Sequence, residues 1–136
     1  IKEKVIWNWE QFQSFIHEVD DSKYFTLFWL LWQTGLRIGE LRGLKWYDFK
    51  RRTKELFIER QITDANSSEG ELKSRNSYRT YYLDDYTVKY LNDFYESEAG
   101  RENFSMDEYI FGNCYTPIGR GEIEKHLDFH IISLNK

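Results

Sequence analysis

The chain has 136 residues, 18% aromatics and a single proline, which suits one domain with a sizeable core and excludes a disordered segment. It has no run of 18 apolar residues and no basic leader followed by an apolar stretch, so neither a spanning helix nor secretion is expected, and the expected setting is the cytoplasm with no membrane partner. Lysine and arginine number 19 against 23 acids, a net charge of -4 that argues mildly against nucleic acid, although binding follows the distribution of charge rather than its sum.

In chain order, residues 8–21 predict a helix capped by Asn8, with Phe12, Phe15, Ile16 and Val19 as its apolar stripe. Residues 22–34 start at a serine cap and are apolar almost all round, which predicts a buried helix. Gly35 stops that helix as a left-handed terminator. A short helix follows, with Ile38, Leu41 and Leu44 spaced to face the core. The period then changes. "ELFIERQ" (55–61) alternates, placing Leu56, Ile58 and Arg60 on one face, and "SYRTYYL" (77–83) is again strand-like. The turn-rich segment between them has room for a short strand around residues 71–74. A helix over 84–97 starts at Asp84 and turns Val88, Leu91 and Phe94 or Tyr95 inward. A short extended piece at 109–112 precedes a last helix over 119–135, striped by Ile123, Leu127, Ile131 and Leu134. The expected fold is mainly α with a small antiparallel β-sheet of two or three strands, in one domain over residues 1–136.

Cations concentrate in two places, "RGLKWYDFKRRTK" (42–54) and "KSRNSYR" (73–79), and the second holds no acid. A solvated basic loop is the ordinary meaning of such a run. Arg37 opens the helix after Gly35, where free backbone N–H groups and a guanidinium fork both suit a phosphate. Glu40, three residues on, shares its side of the helix and is placed to orient the fork, or simply to form a solvated surface pair with it. Lys73 is either an edge charge that blocks aggregation or an ammonium delivered to a phosphate oxygen. His126 and His130 have i, i+4 spacing but no third ligand, so no metal is expected, and no cofactor-binding loop is present. Cys114 stands alone and reads as a half-buried apolar residue in a reducing compartment.

Taken in order, the segment "TGLRIGELRGLKWYDF", the strand "LFIERQ" and the hairpin "LKSRNSYRTYYLDD" resemble the catalytic domain of tyrosine recombinases, the integrases of phages and conjugative elements. Thr34, Gly35, Arg37, Glu40 and Leu41 match a T-G-x-R-x-x-E-L pattern. Lys73, Ser77, Arg79 and Thr80 match K-T-x-x-S-x-R-T, with Ser74 in place of threonine.

The resemblance implies a site-specific DNA recombinase that breaks and rejoins strands through a 3′-phosphotyrosyl link. It implies Arg37 as a catalytic arginine, Glu40 as its support, Lys73 as the acid that protonates the leaving 5′ oxygen, Ser77, Tyr78 and Arg79 as residues that shape the hairpin, and Arg75 or Arg79 as DNA-backbone contacts. Double-stranded DNA and other recombinase protomers are the implied partners, with no small-molecule substrate. The family's His-x-x-Arg motif and nucleophilic tyrosine are expected downstream of Lys136, and its DNA-clamping domain upstream. None of the ten tyrosines stands in the nucleophile's place. These residues are therefore expected to be inactive alone, as part of a longer integrase. The alternative is a non-catalytic remnant that binds DNA or a recombinase subunit.

Overall fold

The computed structural model describes the backbone of residues 8–63, 68–70 and 78–134, and their side chains except at 68–70 and 129–134. Helix α1 spans Trp9–His17. Asn8 caps it by accepting from the Gln11 amide at 2.8 Å, and the Gln11 side chain returns the bond to the Asn8 amide at 2.9 Å, a reciprocal cap that satisfies two otherwise free donors. The helix ends four residues short of its expected end. Val19 is still buried, but it enters the core from the turn that reverses the chain. Helix α2 covers Ser22–Thr34, and its cap is Asp21 rather than the expected serine. One Asp21 carboxylate oxygen reaches the Lys23 and Tyr24 amides, and a charged acceptor suits a helix N-terminus better than a hydroxyl does.

Gly35 ends α2 with φ +67°, a left-handed value that strains residues carrying a Cβ. Helix α3, Ile38–Arg42, follows two residues later. Leu44 lies past its end and is buried all the same. A 3-10 turn over Trp46–Asp48 leads into β1, Phe49–Lys50, a strand that the sequence pattern did not indicate.

Strand β2 is Glu55–Ile58 and does not run on to residue 61. It lies between β1 and β5, Arg79–Tyr82, in an antiparallel sheet of order β1-β2-β5. Leu56 faces Tyr81 and Ile58 faces Arg79 across the β2–β5 ladder. The chain leaves the sheet at residues 59–60 and forms a separate two-stranded ribbon from β3, Gln61–Thr63, and β4, Ser68–Gly70. The corner has an electrostatic cause. Asp48 is buried, and Arg60 turns inward to meet its carboxylate at 2.5 Å while also donating to the Gly43 carbonyl and the Tyr47 hydroxyl. Leaving that carboxylate unpaired would cost several kcal/mol, about 3–5, so Arg60 is turned inward as Leu56 and Ile58 are, although the strand has ended. The short strand expected around residues 71–74 lies outside the described residues.

Helix α4, Asp85–Ala99, is capped by Asp84, whose carboxylate accepts from the Thr87 amide and from Gln33 of α2. Phe94 is the buried member of the expected Phe94/Tyr95 pair. Tyr109 forms an isolated antiparallel bridge with Lys45. Helix α5, Arg120–Leu134, buries Ile123 fully and Leu127 in part. Its Ile131 and Leu134 side chains lie outside those described.

One core joins these layers. Leu27 and Leu30 of α2, Leu41, Leu56, Leu91 and Ile110 are sealed from solvent. Each contributes about 1.5–3 kcal/mol by burial. Trp46 lies 5.5 Å from the rings of Phe94 and Tyr95, which ties the 3-10 turn to α4. Among the described residues no helix is long and apolar enough to cross a membrane.

Candidate active site

The segment between α2 and α3 sets the backbone of Arg37. Gly35 bends the chain, its amide bonding back to the Leu31 carbonyl at 3.0 Å, and Leu36 is pinned in the core. Arg37 occupies the N-cap position of α3 in an extended conformation, with φ -70° and ψ 149°. Its amide donates to Glu40 Oε1 at 3.1 Å. Because α3 has only five residues, its dipole is small, and a phosphate at this position would be held mainly by the guanidinium.

Glu40 is 1% exposed. Arg79, at the first position of β5, donates Nη1 to Oε2 and Nη2 to Oε1, both at 2.7 Å. This two-pronged geometry is the strongest form of carboxylate recognition. Arg79 Nε donates to the Tyr81 hydroxyl at 3.1 Å, and its guanidinium lies over the Tyr81 ring. Burial pushes the Glu40 carboxyl up. The hydrogen bonds from Arg79 and the Arg37 amide, with the charges of both arginines, outweigh it, so the carboxyl is held below its usual range. The same contacts hold the Arg79 guanidinium in its charged form more firmly than usual.

Glu40 therefore gives its oxygens to the Arg37 backbone and to Arg79, and not to the Arg37 side chain. That excludes a simple Arg37–Glu40 surface pair. Arg37 is exposed, and among the described residues its side chain makes no ion pair. Lys73 and Arg75 lie outside the described residues. Their segment leaves from β4 and returns at Tyr78 and Arg79, and the second of these is already bound to Glu40.

A second contact ties α3 to the ribbon. A Cβ on Gly39 would come within 2.8 Å of the Ile62 carbonyl oxygen, so α3 approaches β3 more closely than a larger residue permits. Helix α3, with Arg37 at its N-cap, is thus held to β5 through Glu40 and to β3 through Gly39.

The basic run 42–54 is largely absorbed by the fold. Arg42 is buried and donates to the Ile118 carbonyl at 2.7 Å, Arg51 pairs with Glu96, and Lys54 pairs with Asp85. His126 stacks on Tyr24 with centroids 3.6 Å apart, and the His130 side chain is outside those described. Among the described residues no group of His, Cys, Asp and Glu is placed to hold a metal. The pairing of Glu40 with Arg79 spans 39 residues. Their motif membership was visible in the sequence, but no spacing rule links them.

The fold has counterparts among solved structures. The fold is that of the tyrosine recombinase catalytic domain. It superimposes on the Tn1549 transposon integrase in complex with a circular intermediate DNA with a TM-score of 0.76 and 19% identity, covering 99% of this chain and 48% of that one. XerA recombinase gives a TM-score of 0.74 at 16% identity, covering 97% of this chain and 43% of that one. The chain belongs to the phage integrase family, whose sequence pattern matches residues 8–128. It is 28% identical over 125 residues to the ICEBs1 integrase of Bacillus subtilis (strain 168), covering 85% of this chain and 34% of that protein. The chain thus spans between a third and a half of the length of these relatives.

Proposed function

We propose that these residues form part of the active site of a site-specific DNA recombinase, with Arg37 gripping the scissile phosphate and Lys73 serving the leaving group. The observation that carries this is the exposed Arg37 guanidinium, free of an ion pair among the described residues, on a backbone fixed by a buried carboxylate. Support also comes from family membership and from relatives of the same fold that were captured on DNA.

In strand cleavage a tyrosine hydroxyl gives up its proton and its oxygen bonds to phosphorus. The bond from phosphorus to the 5′ oxygen breaks, and that oxygen takes a proton from Lys73. Negative charge rises on the nonbridging oxygens during the step, and a guanidinium already in position stabilises it without reorganisation. Loss of one such donor costs on the order of 10²–10³ in rate. The reverse attack by a 5′ hydroxyl reseals the strand, so bond energy is conserved. In this reading the nucleophile, the His-x-x-Arg motif and the DNA-clamping domain belong to residues outside 1–136. The chain alone binds duplex DNA without cleaving it, and joins other protomers when complete.

The test is duplex binding by fluorescence anisotropy across a salt series. Binding is expected to be weak and to weaken with salt, because counterions are released from few phosphates. An Arg37→Ala, Lys73→Ala double variant should lower the slope of log K against log salt by about 2, one for each lost phosphate contact. Affinity indifferent to salt and to both changes would overturn the reading. So would a covalent DNA adduct formed by residues 1–136 alone.

A further inference from the structure

Arg79 sits at the first residue of β5, where the chain returns from the segment carrying Lys73. Its terminal nitrogens are both taken by the Glu40 carboxylate at 2.7 Å, and its Nε by the Tyr81 hydroxyl. Glu40 in turn takes the Arg37 amide. Strand, buried carboxylate and Arg37 backbone are therefore linked in series by three hydrogen bonds. Each of the three guanidinium nitrogens of Arg79 donates a hydrogen bond inside the protein, and the Glu40 end of the chain is sealed from water.

We infer that Arg79 is a positioning residue, which couples the start of β5 to Arg37 through Glu40 rather than gripping DNA itself. The inference rests on Arg37 being the phosphate-binding residue. It replaces the backbone contact that the family resemblance implies for Arg79, and extends its hairpin-shaping task to the Arg37 backbone. The physical ground is competition. A guanidinium that leaves Glu40 for a phosphate removes both of its charge-assisted bonds from a buried carboxylate and leaves it the Arg37 amide. Two bonds in parallel also fix direction as well as distance. The start of β5 and the N-cap of α3 are accordingly held to one another. Lysine, with one compact ammonium, cannot reproduce both bonds.

The test uses this chain, with the Arg37 backbone amide resonance and duplex DNA affinity as paired readouts. Arg79→Gln is expected to shift the Arg37 amide and to lower affinity by about tenfold, as far as Arg37→Gln does. The double variant should lose no more than either alone. Arg79→Lys keeps the charge and is the milder change should Arg79→Gln fail to fold. It is expected to shift the Arg37 amide in the same direction and to restore affinity only in part. The inference is overturned by an unmoved Arg37 amide in Arg79→Lys, or by losses that add to those of Arg37→Gln and are fully rescued by lysine. Those outcomes describe a direct phosphate contact. If Arg37→Gln leaves DNA affinity unchanged while the amide still responds to Arg79, the active-site reading fails and the coupling stands.

Discussion

Glu40 is a buried acid that remains charged because two arginines and a backbone amide surround it. Its pKa is lowered in the folded state, so the stability it contributes is fully present above the unfolded value near 4.3 and lost as pH falls through the lower folded value. Glu108 behaves in the same way. Burial pushes its carboxyl up, but hydrogen bonds from Arg101 at 2.6 Å and the Ser105 amide hold it below its usual range. The melting temperature is therefore expected to fall from pH 5 toward about pH 3. Glu40→Gln should cost about 3 kcal/mol at neutral pH, since it leaves Arg79 without its counter-charge. It should also flatten the acid limb. Melts between pH 3 and 7 check both, and an acid limb as steep in Glu40→Gln as in the parent chain would refute the assignment.

At the scale of elements, the decisive contact is that of α3 with β3. Gly39 makes it possible, because its missing Cβ is replaced by the Ile62 carbonyl. Gly39→Ala must push the ribbon away by several tenths of an ångström, and is expected to destabilise by about 1–3 kcal/mol in urea unfolding. DNA affinity should fall with it, because the ribbon leads to Lys73. Gly35 has open space around its Cβ position, so substitution there meets backbone strain alone and costs about 1–2 kcal/mol. A Gly39→Ala protein as stable as the parent would show that α3 and β3 are not held in contact.

Among the described residues, one core cluster draws on every helix and on the three-stranded sheet. Trp46 stands at the junction, 1% exposed and against Phe94 and Tyr95 of α4. Unfolding is accordingly expected to be one cooperative transition, with tryptophan fluorescence and far-ultraviolet dichroism coinciding. Trp46→Ala should lower stability by about 3–5 kcal/mol without separating the two probes. Transitions that separate in the parent chain would mean that the helices and the sheet unfold as independent units.

The sequence by itself determined what depends on neighbours along the chain. Helix periodicity, the Asn8 and Asp84 caps, the Gly35 terminator and the alternation of Leu56 with Ile58 are local, and each is found where the pattern places it. The family motifs were equally legible, since they are strings. Only the tertiary structure decided what depends on burial. Arg60 leaves the strand because Asp48 is buried 12 residues earlier, and Val19 keeps its place in the core although its helix has ended. Arg79 joins Glu40 rather than solvent for the same reason. A carboxylate's need for a partner is set by how deeply the whole fold buries it, and that depth is not encoded in the spacing of residues along the chain.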